Sequence, residues 1–128
     1  MIKIFLDDKN AYFEGTFLKK GLNSANFSSM ELPISIGDIV SIGTLKEILE
    51  SAYQPILDSG IRGLYHVSKD ALTENNMNSI LLNRKLYMLL NLCYELIVEF
   101  DFDELEENIA NTMIKIKTIK LGMYNFIF

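Results

Sequence analysis

Six of the nine residues in the stretch EFDFDELEE, Glu99 to Glu107, are acidic, with Phe100, Phe102 and Leu105 between them. Carboxylates at that density can hold a hard cation, complement the N-terminal end of a helix dipole, or steer a basic partner. The cation reading fails on spacing. A calcium loop counted from Asp101 needs an oxygen ligand at its fifth position, glycine at its sixth and glutamate at its twelfth, where this chain has Leu105, Glu106 and Thr112. A helix start fits better: Asp103 can cap, Glu106 three residues on completes a capping box, and Lys115, Lys117 and Lys120 fall in the last turn. The third reading takes Phe100 and Phe102 as apolar anchors beside charges that attract a basic protein. It makes Glu99, Phe100, Asp101, Phe102, Asp103, Glu104, Glu106 and Glu107 the candidate partner-binding residues.

The formal charge of the chain is −5, and this stretch holds six of its seventeen acids and no base, so the rest of the chain is close to neutral. A local anionic patch repels phosphate backbones, which excludes nucleic acid as the expected partner and selects a cationic protein. No cofactor motif is present. Gly43-Thr44, between an expected strand and an expected helix, stands where a phosphate-binding turn would, but without the P-loop spacing. The only histidine, His66, lies in an apolar-aromatic run and reads as a packed side chain, and Cys93, in the most apolar segment, reads as packing. No catalytic or metal-binding residue is assigned.

The elements that must position these residues are read from periodicity. Ile2–Leu6 suits a buried strand, Ala11–Leu22 fits a short helix or a second strand, and Asn23–Pro33, rich in Asn and Ser, reads as a loop. Ile34–Ile42 around Gly37-Asp38 suggests a strand or hairpin. Leu45, Ile48, Leu49, Ala52, Tyr53 and Ile56 recur at helical spacing behind a Thr44/Glu47 capping box; Pro55 should kink or shorten this helix, and Gly60 should stop it. Ile61–Val67 fits a short strand, Ser68 a helix cap, and the polar TENNMN run a connector. Ser79–Phe100 is apolar on nearly every side, as a central helix would be. Within it, Asn91 and Glu95 interrupt the richest apolar run, which falls short of the roughly 18–20 residues that span a bilayer. The last helix takes Leu105, Ile109, Met113 and Ile116 as its inward stripe, although IKIK also fits a strand, and GMYNFIF reads as a closing strand.

The fold expected from this reading is α+β, one domain over residues 1–128. Its C-terminal half is largely helical, with three main helices at roughly 44–59, 79–100 and 103–118. A small sheet comes from the N-terminal half and a C-terminal strand. With 49% apolar and 23% charged residues, such a chain folds without disulfides or metal. One unpaired cysteine, and an N-terminal apolar run of about four residues before Asp7-Asp8, point to a reducing, cytoplasmic setting.

Two resemblances add to this. FLDDKNAYFEG, Phe5 to Gly15, resembles the opening motif of NYN and PIN-like metal-dependent nucleases, which implies metal binding at Asp7 and Asp8, support from Asn10, and a further carboxylate such as Asp70. Residues Glu31 to Leu64, with SIGDIV, then a helix, then Pro55-Ile56-Leu57, resemble the central segment of bacterial immunity proteins from contact-dependent growth-inhibition systems. That resemblance implies a non-enzymatic cytoplasmic protein that binds and neutralises a basic toxin nuclease. A phage-encoded inhibitor of a host enzyme shares the same physics. The expected function is therefore an acidic protein-binding module of the immunity type, with the nuclease as the alternative.

Overall fold

The computed structural model describes residues 1–16, 27–58 and 74–124. Among them stand seven strands, in two antiparallel sheets, and two α-helices. The three-helix C-terminal half is thus overturned: beyond residue 84 the described chain is mostly sheet.

The first sheet has the order β2-β1-β3, from β1 (Ile2–Leu6), β2 (Ala11–Phe13) and β3 (Ser28–Leu32). Its centre, β1, sends Ile4 and Leu6 into the core, and β3 answers with Met30 and Leu32. Asn23–Pro33 is therefore not all loop. The alternation of buried Met30 and Leu32 with exposed Glu31 is a strand pattern that the neighbouring Asn and Ser residues hid.

The second sheet has the order β4-β7-β6-β5, from β4 (Ile39–Ser41), β5 (Lys85–Leu89), β6 (Tyr94–Asp101) and β7 (Met113–Met123). Helix α1 (Ile42–Asp58) follows β4 directly, and α2 (Glu74–Asn83) precedes β5. Residues 79–100 are consequently the end of α2 and a β-hairpin. Leu96, Val98 and Phe100 face inward on β6 while Glu95, Glu99 and Asp101 face out, a period of two. The apolar residues that look continuous in sequence belong to two strands, β5 and β6, laid side by side. Arg84, at φ 55°, reverses the chain between α2 and β5. The TENNMN run, expected as a connector, opens α2 from Glu74 onward.

The expected 103–118 helix is replaced by a loop, a single 3₁₀ turn at Ile109–Asn111 capped by the Asn108 side chain, and β7. β-Branched Ile114, Ile116, Thr118 and Ile119 favour the strand over the helix. Of the stripe predicted to point inward, Ile116 is buried, but Leu105 and Met113 are 60% and 51% exposed. The register with β6 skips between Glu99↔Thr118 and Phe100↔Ile116, leaving Lys117 unmatched in a β-bulge.

Helix α1 is the one expected helix that forms. Its cap is Ser41, not Thr44: Ser41 Oγ accepts from the Thr44 amide at 3.1 Å. Of the expected stripe Leu45, Leu49, Ala52, Tyr53 and Ile56 are buried and Ile48 is partly buried, while Ile42, read from the sequence as strand, opens the helix and is buried too; the helix runs on past Pro55 to Asp58. Pro55 is tolerated because it is exposed in the last turn, where water can take up the carbonyl bond it forgoes. A single buried cluster draws side chains from α1 and from both sheets. Each fully buried Leu or Ile in it contributes about 1.5–3 kcal/mol relative to exposure. The expected strand at 61–67, the Ser68 cap, the Gly60 stop, His66 and Asp70 lie outside the described residues.

Candidate partner-binding surface

The acidic stretch divides into two chemically different parts. Glu99 and Asp101 lie on the outer face of β6, where the registers with β5 and β7 set basic side chains beside them. Glu99 pairs with Lys120 and, at 3.9 Å, with Lys85; Asp101 pairs with Lys117 at 3.3 Å and Arg84 at 3.7 Å. The hydrogen bond from Lys120 holds the Glu99 carboxyl below the ordinary glutamate range. These two acids are neutralised within the molecule. Phe100 between them points the other way and is 1% exposed, so it is core and offers a partner nothing.

Beyond β6 the chain leaves the sheet, and Asp103, Glu104, Glu106 and Glu107 are all exposed. Among the described residues no lysine or arginine reaches any of the four within ion-pair distance. The capping box expected from Asp103 and Glu106 does not form. Instead the loop is tied at both ends. At its start the Arg84 guanidinium donates to the Phe102 carbonyl at 3.0 Å and lies 4.3 Å from the Phe102 ring centroid. At its far end the Glu106 amide donates to the hydroxyl of Thr112, which is fully buried. The Thr112 carbonyl in turn accepts from the Ile42 amide, the first of α1. The four carboxylates are thus carried by a loop held against the sheet and the start of α1.

Beside the loop runs an open groove of about 670 Å³, where Ile39 of β4 and Met113 and the exposed Lys115 of β7 join Asp101, Phe102, Asp103, Glu104 and Glu106. Ile39 and Met113 are 64% and 51% exposed, and β4 is the terminal strand of its sheet among the described residues. Sequence reading missed Ile39, Met113, Arg84 and Thr112. They come to the loop from three other segments, and only the β4–β7 pairing, Ile39↔Lys115 and Ser41↔Met113, sets the two apolar side chains near each other.

The residues behind the nuclease resemblance are placed otherwise. Asp7 Oδ1 accepts from the amides of Lys9, at 2.9 Å, and Asn10, at 2.7 Å, and the Asn10 side-chain amide donates to both Asp7 oxygens. This is an Asx turn that makes the β1–β2 connection. Among the described residues no group of three His, Cys, Asp or Glu side chains is arranged to hold a metal ion. At Gly43 the candidate phosphate-binding turn is filled, since a Cβ there would lie 3.0 Å from the Ala110 carbonyl oxygen. Cys93 is in the β5–β6 turn and half-buried, not in an apolar helix. No helix among the described residues is long and apolar enough to cross a membrane.

The Glu99 pairing makes a pH prediction. A carboxyl whose folded pKa is depressed contributes stability that is present above its unfolded value, ordinarily 4.5, and is lost as pH falls through the lower folded value. Glu99→Gln should therefore lower the melting temperature at neutral pH, and the two melting curves should converge as pH falls below the ordinary glutamate range. Glu95, raised by burial, works in the opposite sense, so Glu95→Gln should be neutral or stabilising at pH 7. Thermal melts across pH 3–8 check both.

Fold and surface together define an α+β chain with one partly ion-paired, partly uncompensated acidic ridge. Comparison with protein-family models, with curated proteins and with solved structures returned no match.

Proposed function

We propose that this chain is a non-enzymatic binding protein whose Phe102–Glu107 loop receives a basic partner protein, as an immunity protein receives the toxin nuclease it blocks. The observation that carries the reading is the four exposed, uncompensated carboxylates of Asp103, Glu104, Glu106 and Glu107 on a loop pinned by Arg84 and Thr112. Four like charges within the five residues 103–107 repel one another, and a cationic surface relieves that repulsion. Because the loop is already ordered, little further entropy is lost when a partner docks. A nuclease suits the site because it must carry positive charge to hold a phosphate backbone, and an anionic ridge competes for that same surface. The resemblance of residues 31–64 to immunity proteins supports the same direction and implies a cytoplasmic setting.

The test compares the wild-type chain with the variant carrying Asp103→Asn, Glu104→Gln, Glu106→Gln and Glu107→Gln, each as bait in extracts of the native host. A protein of basic isoelectric point should be retained by the wild type and lost from the variant. Its cleavage of RNA or DNA should be blocked by one equivalent of wild-type chain. The association rate should fall about 10- to 100-fold in the variant at low salt and by less at high salt. Identical retained proteins for both baits, with equal salt dependence, would reject the proposal. The melting temperature of the variant should match or exceed that of the wild type, since no intramolecular ion pair is removed.

A further inference from the structure

The groove beside the acidic loop presents apolar surface as well as charge, and this narrows what can occupy it. Ile39 and Met113 project from adjacent strands of a sheet edge, each more than half exposed, with Phe102 at the base of the loop. Charge alone explains none of this: a site that only attracted cations would lose nothing if polar side chains stood at both positions. Large apolar side chains exposed at diagonal positions of neighbouring strands, beside a charged rim, form an apolar floor that another molecule can cover. The groove is lined by four carboxylates, Asp101, Asp103, Glu104 and Glu106, against one cation, Lys115, so its net charge is negative and the occupant must bring positive charge within reach of the apolar floor.

Resting on the binding role proposed above, we infer that the groove takes an exposed basic segment of the partner in which a large apolar side chain is flanked by arginine or lysine. The apolar side chain seats against Ile39 and Met113, and the flanking cations meet the loop carboxylates. In such a site the charges set the encounter rate and its salt dependence, while the desolvated apolar anchor sets how long the complex lasts.

Two capped synthetic peptides of equal charge serve as probes, one alternating arginine with leucine and one alternating arginine with serine. They are titrated into the isotopically labelled full chain and followed by amide resonances. The arginine–leucine peptide should bind at least tenfold more tightly and shift the resonances of residues 39, 102–107 and 113. Ile39→Ser with Met113→Ser, both at exposed positions, should abolish that preference and leave the arginine–serine affinity unchanged. Equal affinity for the two peptides, or shifts centred elsewhere, would overturn the apolar anchor while leaving a purely electrostatic partner site standing. Binding by neither peptide would overturn the groove inference, whereas the bait experiment with the four-acid variant judges the basic-partner role independently. A melting curve for the double variant that matches the wild type ensures that a lost preference reports the groove and not the fold.

Discussion

Phe100→Ala should cost about 3–5 kcal/mol of stability, the usual range for deleting a fully buried phenylalanine ring. Phe102→Ala, two residues on, should cost only about 1 kcal/mol, the lost contact with the Arg84 guanidinium plus some partly buried area. The two residues look equivalent in EFDFDELEE. In the fold Phe100 sits 1% exposed in the sheet, its amide bonded to the Arg84 carbonyl at 3.0 Å, whereas Phe102 has left the sheet. Removing the Phe100 ring empties the inner face of β6 just past the Lys117 bulge, where Phe100 pairs with Ile116, and neighbours can close that space only by shifting a strand paired on both sides. At Phe102 the backbone bond that ties the loop, from Arg84 to the Phe102 carbonyl, survives the deletion of the side chain. Chemical denaturation of the two variants checks the contrast. A loss at Phe102 as large as that at Phe100 would mean that the loop is part of the core.

The same pair shows why the sequence is legible in some places and misleading in others. Helix α1 is readable because six buried residues recur at one spacing and nothing else in that segment fits another period. Strand β1 is readable because it is short, β-branched and bounded by a turn. From residue 79 onward periodicity misleads for a specific reason. Strands β5 and β6 meet at a turn, Leu90–Cys93, that contains no glycine or proline, so the usual punctuation is missing and two strands read as one long apolar helix. The acids after Phe100 read as a helix start by the same logic, because capping residues and sheet-edge charges have the same composition. Only the register reveals that Glu99 and Asp101 have lysines of their own while Asp103, Glu104, Glu106 and Glu107 do not. The candidate surface is therefore half legible: its charge is a property of sequence, but its division into paired and unpaired acids, and its apolar floor at Ile39 and Met113, are products of strand pairing.

The missing turn signal is supplied by Asn91, and its replacement is expected to have the other large effect. Asn91 is fully buried, yet every polar atom of its side chain is used. Its Oδ1 accepts from the amides of Cys93 at 2.9 Å and Tyr94 at 2.8 Å, folding the β5–β6 turn as an Asx turn. Its Nδ2 donates to the carbonyls of Asp7 at 2.8 Å and Asn10 at 3.0 Å, which belong to the β1–β2 turn of the other sheet. A backbone bond from Leu92 to the Asp8 carbonyl runs alongside, and Tyr53 of α1 donates to the Leu90 carbonyl at 3.0 Å. One amide group thus shapes a turn and joins the two sheets beside the helix that packs on them. Asn91→Ala would leave the Cys93 and Tyr94 amides and the Asp7 carbonyl short of a partner, while the Asn10 carbonyl keeps its bond from the Asp7 amide; at about 1–3 kcal/mol for each buried polar group left unsatisfied, and with water able to reach some of them, a net loss of about 2–4 kcal/mol is expected. Asn91→Asp keeps the acceptor for Cys93 and Tyr94 but turns a carboxylate toward the carbonyls of Asp7 and Asn10, so it should be no better than alanine at pH 7 and should recover stability as the pH falls and the acid protonates. Equilibrium denaturation of the two variants at pH 7 and pH 5 distinguishes these outcomes. If Asn91→Asp were as stable as the wild type at pH 7, the Asn91 bonds to the β1–β2 turn would contribute nothing, and the two sheets would be joined by apolar packing and the Leu92–Asp8 backbone bond.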